Sequence, residues 1–126
     1  QALSNPQYGE RAKTLMAQGL CQIKAGRPGD AEASLLRSYE FDAGNPVTAY
    51  NLANLLFQRG DFVRAQFYVR RLNNSDLANV ESLWLGVKVE RRMENRDAML
   101  QLAAQLQKRF PQSREATAYQ RGAFDE

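Results

Sequence analysis

The chain contains no histidine and a single cysteine, Cys21, among its 126 residues. One cysteine cannot form an internal disulfide, and without histidine or a second thiol the usual ligand sets of zinc sites are missing. No apolar run approaches the roughly 18 residues needed to cross a bilayer, and no segment of the signal-peptide type opens the sequence. We therefore expect no metal site, no cofactor and no membrane-spanning helix.

Concentrated charge of one sign is also missing. The net charge of +3 arises from 17 basic and 14 acidic residues that alternate along the chain. Nucleic-acid binding requires positive charge clustered on one face, so we predict no nucleic-acid partner. Basic pairs such as Arg70-Arg71 and Lys108-Arg109 stand near the ends of predicted helices, where cations complement the helix dipole.

No arrangement of side chains indicates catalysis. The sequence has no phosphate-binding loop and no nucleophile paired with a base, and so we predict that the protein is not an enzyme. Acidic pairs such as Asp30 with Glu32 are interpreted as helix caps and solvated charges. Cys21 lacks a histidine to activate it and stands near Leu20 and Ile23, which predicts a buried, unreactive thiol.

An internal repeat is the main feature of the sequence. Residues 19–26 align with residues 53–60, which places Gly26 and Gly60 34 positions apart, the period of tetratricopeptide repeats. A small residue also precedes an alanine by twelve positions three times, in the pairs Gly19 with Ala31, Ala53 with Ala65, and Gly86 with Ala98. The third pair is displaced by one residue. Such small residues allow two antiparallel helices to cross closely.

Helix-start and helix-stop signals divide the chain into seven predicted helices. Gly26 and Gly60 suit left-handed positions after a helix, and Asp61 and Ser113 suit N-caps. The predicted helices lie near 8–25, 28–42, 46–59, 62–73, 78–93, 96–109 and 113–123. We expect an all-α, tetratricopeptide-like superhelix in one domain over 1–126, with about three helical hairpins (8–44, 46–77, 78–111) and a C-terminal capping helix.

The first helices of stacked hairpins line a concave groove. The repeat register predicts that this groove is lined by Met16, Leu20, Ile23, Tyr50, Asn51, Asn54, Phe57, Leu83, Trp84, Val87 and Glu90. Two interpretations of the groove remain open, a trough for a partner segment and an internally filled core. Asn51 and Asn54 either bond a peptide backbone or simply line the surface. Trp84 is either an interface anchor or a wedge between repeats.

Several sequence blocks resemble a specific family, the tetratricopeptide pilotins of type IV pilus biogenesis called PilF or PilW. They are Ala2-Leu3 through Pro6, Ala17-Gln18-Gly19-Leu20, Ala31-Glu32-Ala33, Leu36-Arg37-Ser38-Tyr39, Leu52-Ala53-Asn54-Leu55-Leu56, Ala65-Gln66-Phe67-Tyr68, Ser82-Leu83-Trp84-Leu85-Gly86 and Leu106-Gln107-Lys108-Arg109-Phe110-Pro111. The last two blocks weigh most, because general tetratricopeptide sequences seldom combine them. Ala43 and Leu77 depart from the general repeat, which often has proline there, and Met93 stands near an expected glycine.

The resemblance implies a function in pilus assembly. Members of this family have about six repeats behind a lipidated N-terminal cysteine that holds them at the periplasmic face of the outer membrane, and they assist localisation and multimer assembly of the pilus secretin. This chain then corresponds to a soluble C-terminal fragment that binds the secretin, attached to the membrane only through an anchor outside the chain, with a monomeric state favoured. Two other interpretations remain: repeats that support an N-terminal binding region, and a scaffold for another partner.

Overall fold

In a computed structural model of the chain, residues 6–126 are described and form seven helices. They are α1 (Pro6–Lys24), α2 (Pro28–Phe41), α3 (Pro46–Gln58), α4 (Phe62–Asn73), α5 (Val80–Arg92), α6 (Arg96–Arg109) and α7 (Arg114–Arg121). The part of the resemblance carried by residues 2–5 lies outside the described range. The all-α prediction is confirmed, and every predicted helix boundary lies within two residues of the observed one.

The helices pack mainly against their neighbours in the chain. α1 packs on α2, α3 on α4 and α5 on α6, and these three hairpins stack through contacts of α2 with α3 and of α4 with α5. α7 packs against both α5 and α6. This nearest-neighbour packing is the architecture of a helical repeat array.

Left-handed residues end the first helix of each hairpin at a strict interval. Gly26, Gly60 and Glu94 have φ angles of 75°, 85° and 61°. The step from Gly60 to Glu94 equals the step from Gly26 to Gly60, which is one repeat period. The glycines adopt this conformation without a steric penalty, as the sequence predicts. In the third hairpin the left-handed residue is Glu94, directly after Met93, near which the repeat predicts a glycine.

Replacing Glu94 by glycine is expected to stabilise the fold. A left-handed conformation costs a residue with a Cβ about 1–2 kcal/mol, and part of the gain is offset by the greater freedom of glycine in the unfolded chain. We expect the free energy of unfolding of Glu94→Gly to rise by about 0.5–1 kcal/mol, measured by urea denaturation. Glu94→Ala keeps the Cβ and is the control; an equal gain in both variants would contradict this explanation.

The N-caps of the first helices follow the same interval. Asn45, Asn79 and Ser113 are each separated from the next by one repeat period. Each side chain accepts a hydrogen bond from a backbone N–H two or three residues further on, at 2.9, 2.9 and 3.0 Å. These bonds satisfy amide groups that a helix start leaves free. α7 therefore begins at the position where the first helix of a further repeat would begin.

The core consists of two apolar clusters that share α5. The first lies among α2, α3, α4 and α5 and includes Leu35, Leu52 and Leu56. The second lies among α5, α6 and α7 and includes Leu106 and Ala116. Each fully buried leucine contributes roughly 1.5–3 kcal/mol relative to an exposed one, so these clusters provide most of the stabilisation of the fold.

Gly19 marks a close helix crossing, as the sequence predicts. A Cβ on Gly19 would lie 2.8 Å from Cγ of Leu35 on α2 and 3.5 Å from the carbonyl oxygen of Ala31. In the second hairpin the corresponding residues Ala53 and Ala65 are both fully buried in the first cluster. Small side chains at these positions hold the paired helices close together.

Gly86 makes a different close contact from the predicted one. A Cβ there would lie 2.7 Å from Nδ2 of Asn73 on α4 and 2.9 Å from Cδ1 of Leu102 on α6. The close neighbour on α6 is thus one turn beyond the predicted mate, Ala98. The missing side chain also leaves room for the Asn73 amide, which donates a hydrogen bond of 2.9 Å to the carbonyl oxygen of Ser82.

Candidate protein-binding groove

The structure corrects the predicted groove register in the third hairpin. Leu83 and Val87 are both 0% exposed and belong to the second core cluster, so their assignment to the groove was wrong. The error came from aligning Gly86 with Ala53, because that separation is one residue shorter than the interval between the helix caps. The helix caps keep the repeat period, but Gly86 stands one residue earlier than that period would place it. The groove positions of α5 therefore lie one residue later than predicted.

Glu90 was also predicted to face the groove, but it lies between α4 and α5. Its carboxylate is 1% exposed and accepts hydrogen bonds from Arg70 (2.6 and 3.1 Å), Gln66 (3.0 Å) and Asn95 (3.1 Å). Burial alone would raise the pKa of Glu90, but the hydrogen bonds from these three side chains stabilise the carboxylate and hold its pKa below the usual value. The role of Glu90 is therefore to join two hairpins.

The first two hairpins leave part of the groove accessible. Met16, Leu20, Ile23, Tyr50 and Phe57 are all only partly buried, as are both predicted asparagines. The Met16 sulfur accepts a weak hydrogen bond of 3.5 Å from Asn45 at the start of α3, which ties α1 to the second hairpin. The groove surface from α1 to α3 thus combines apolar and amide side chains.

The two groove asparagines differ in what they can still bind. Asn51 donates a hydrogen bond of 2.8 Å to the carbonyl oxygen of Val47, one turn earlier in its own helix. The Asn54 side chain makes no hydrogen bond to any residue that the structure describes. The Asn54 amide is therefore free to bond the backbone of a partner, whereas the Asn51 amide already uses one of its two N–H donors.

Trp84 lies inside the protein at the other end of the groove. Its side chain is 4% exposed, and its ring stacks on Phe124 at 5.8 Å, which in turn meets Tyr119 edge-on at 6.1 Å. The residues after α7 thus fold back over the third hairpin. Of the two interpretations of Trp84, the structure supports the internal wedge, because Phe124 covers the indole.

Three cations that sequence reasoning missed line the groove beside Trp84. The Lys88 ammonium is 5.8 Å from the Phe57 ring centre and 5.6 Å from that of Trp84. Arg91 lies 4.3 Å above Phe124, and Arg92 lies 4.6 Å above Phe62. We call this surface the cation–aromatic cleft. Its volume is about 310 Å³, and it is lined by Phe57, Gln58, Lys88, Arg91, Arg92, Phe124 and Asp125.

The sequence contains a signal for these cations. Lys88 and Arg91 stand one full repeat period after Asn54 and Phe57, which the first two hairpins place on the groove. Counting from the N-caps Asn45 and Asn79, instead of from the glycines, would have assigned both cations correctly.

Glu115 on α7 extends the same surface. Burial between rings lowers the pKa of Lys88, an effect that the nearby Glu115 carboxylate opposes. Burial raises the pKa of the Tyr50 hydroxyl, and the negative charges of Glu81 and Glu115 raise it further. Because the Glu115 charge acts on both groups, Tyr50 on α3 and Lys88 on α5 both lie near Glu115 on α7.

Cys21 is exposed, which corrects the prediction of a buried thiol. Its neighbours Leu20 and Ile23 lie three positions apart on the partly buried side of α1. Each residue of a helix is rotated by about 100° from the one before, so Cys21 points away from the side that Leu20 occupies. Apolar neighbours in the sequence therefore did not imply burial.

Several acidic residues outside the groove form ion pairs. Asp30 pairs with Arg27 at 2.5 Å, and Glu32 joins Arg59 and Arg64 from the second hairpin. Residues 6–126 contain no group of three potential metal-ligating side chains. Over the same range, none of the helices combines the length and the apolar character that a bilayer crossing requires.

Among known proteins, no family model matches the chain, but a curated pilus assembly protein matches most of its length. Over 120 residues it is 26% identical to the type IV pilus assembly protein PilF of Pseudomonas aeruginosa, covering 95% of this chain and 48% of PilF. The chain thus spans about half the length of the curated relative it matches.

Solved structures agree with the sequence match. The structure of Pseudomonas aeruginosa PilF superposes with a TM-score of 0.80 at 25% identity, over 94% of this chain and 53% of that one. PilW, a widely conserved type IV pilus biogenesis factor, gives 0.77 at 29% identity, over 93% and 54%. The first tetratricopeptide domain of Spaghetti, bound to an HSP90 peptide, gives 0.82 at 18% identity over 90% of both chains, which shows the fold alone.

A tetratricopeptide-like repeat fold is indicated by the helix order, by the constant repeat period and by these matches. The fold is a protein-interaction scaffold and not that of a known enzyme family. The chain is homologous to Pseudomonas PilF and is a tetratricopeptide-like module structurally related to the type IV pilus biogenesis proteins PilF and PilW.

Proposed function

We propose that this chain binds a subunit of the type IV pilus secretin and assists its localisation and assembly into a multimer. The observation that carries the proposal is the match to Pseudomonas PilF, which extends over 95% of the chain. In this proposal the protein acts at the periplasmic face of the outer membrane. Binding requires no catalytic group, only a surface that holds a segment of the partner.

The groove from α1 to α3 is the proposed binding surface. Leu20, Tyr50 and Phe57 present apolar area that remains partly exposed, and Asn54 presents an amide with no partner among the described residues. Apolar contacts supply affinity, and an unpaired amide can bond the backbone of an extended or helical segment. Together these groups can contact the side chains and the backbone of a partner peptide.

A pull-down with the secretin of the same organism tests the proposal. We expect Asn54→Arg to reduce secretin recovery about tenfold or more, because the partner segment would have to cover a charge that it cannot pair. Ala33→Arg, on the exposed face of α2, is the matched control and should bind like the unchanged chain. Circular dichroism verifies that both variants fold.

Two results would contradict the proposal. Secretin that fails to bind both this chain and the longer protein that carries it would exclude the proposed partner. Binding to the longer protein alone would assign this chain a supporting role for other repeats.

A further inference from the structure

We propose that the cation–aromatic cleft binds an acidic partner segment that carries an aromatic side chain. This inference specifies the chemistry of the partner and rests on the proposed function only in assuming that a protein segment enters the groove. The cleft lies at the α5 end of that groove and adjoins the amide and apolar surface of α1 and α3 at Phe57. It differs from the rest of the molecule in concentrating cations and rings.

Among the described residues, no carboxylate pairs with the cations of the cleft. The side chains of Lys88, Arg91 and Arg92 form neither an ion pair nor a hydrogen bond with another residue in this part of the chain, and Glu115 acts on Lys88 only at longer range. Asp125 lines the cleft without pairing with any of them. Arg64 and Arg70 on α4, by contrast, are paired with carboxylates. A partner with carboxylates would therefore find donors in this cleft that the protein leaves free.

The aromatic rings hold these cations in place. Each cation lies over at least one ring face, at 4.3 to 5.8 Å from the ring centre. Such contacts restrict the motion of long side chains, so less conformational entropy is lost when a carboxylate binds. The rings also provide apolar area, which an aromatic side chain of the partner can cover.

The chain itself shows what chemistry fits the cleft. Phe124 stacks on Trp84 and lies under Arg91, and the next residue, Asp125, lines the cleft. An aromatic residue followed by an acidic one is thus already accommodated at one edge of this surface. A partner segment of the same character would bind beside Phe124, where Lys88 and Arg92 remain accessible over the Phe57 and Phe62 rings.

Fluorescence anisotropy with a short labelled peptide of aspartates, glutamates and two phenylalanines tests this inference. We expect Arg91→Glu with Arg92→Glu to weaken its binding at least about tenfold. Arg37→Glu with Lys108→Glu reverses the same number of charges at exposed positions elsewhere and should leave binding unchanged. Binding should also weaken as salt is added, because the charges are close to solvent.

Lys88→Met provides a second variant that keeps the apolar stem of the side chain. It should fold as the unchanged chain does and should lose several-fold in peptide affinity. The inference is overturned if the control double variant loses as much affinity as the cleft variant, or if a peptide with lysine in place of the acidic residues binds equally well. It is also overturned if the acidic peptide does not bind at all.

The peptide assay and the secretin pull-down can fail separately. Secretin binding that persists in Arg91→Glu with Arg92→Glu would retain the proposed function and reject the cleft as its contact. Peptide binding without secretin binding would retain the cleft and reject the secretin as the partner.

Discussion

Trp84→Ala is expected to lower the free energy of unfolding by about 3–5 kcal/mol, the usual cost of removing a large buried aromatic side chain. The indole is 4% exposed and supports Phe124 and Lys88 as well as the second apolar cluster. Its removal leaves a cavity between α5 and the C-terminal residues, and the neighbouring side chains can fill that cavity only in part. Urea denaturation followed by circular dichroism measures the loss.

The comparison with Phe67 separates burial from aromatic character. Phe67 on α4 is 53% exposed, so Phe67→Ala should cost less than about 1 kcal/mol, as surface substitutions usually do. Trp84→Phe keeps a stacking partner for Phe124 and should lie between the two. Nearly equal losses for Trp84→Ala and Phe67→Ala would show that Trp84 does not serve as a wedge between helices.

Arg70→Met should destabilise the protein by about 1–2 kcal/mol at neutral pH, because Glu90 is 1% exposed and loses its charged partner, whereas solvent at the 47% exposed Arg70 side chain weakens the pair relative to a fully buried one. Glu90 would keep only the hydrogen bonds from Gln66 and Asn95. Methionine preserves the apolar part of the arginine side chain, so packing between α4 and α5 changes little. Thermal and urea unfolding of the two proteins measure the difference.

The pH dependence identifies Glu90 as the cause. Its pKa is lower in the folded than in the unfolded chain, so its contribution is complete above the unfolded pKa, about 4.5, and is lost as pH falls through the folded value. The difference in free energy of unfolding between the unchanged chain and Arg70→Met should therefore shrink as the pH falls below about 4.5. Arg71→Met, whose guanidinium has no carboxylate partner among the described residues, is the control. A difference that stayed constant with pH would argue against the ion pair.

The local signals of the sequence predicted the helices well. Gly26, Gly60, Asp61 and Ser113 each serve the role that their residue type indicates, since backbone conformation and capping depend on near neighbours. Glu94 shows the limit of such signals. Its left-handed backbone is imposed by the repeat frame, although glutamate itself has no preference for that conformation.

The side chains of the groove were harder to predict because they depend on how helices turn against each other. A one-residue error rotates a helix by about 100°, which is enough to exchange the buried positions Val87 and Glu90 for Lys88 and Arg91. Nor does the sequence reveal that Phe124 returns to cover Trp84. That contact joins residues 40 positions apart through tertiary packing alone.

The position of α5 in both apolar clusters makes the repeats melt together. Leu85 and Val89 belong to the first cluster, while Leu83 and Val87 belong to the second, so opposite faces of one helix are committed to different halves of the array. Unfolding of either half would expose the corresponding face of α5 to water and weaken the support of the other half. The two halves therefore lose their structure in one cooperative transition, although most of their contacts are local.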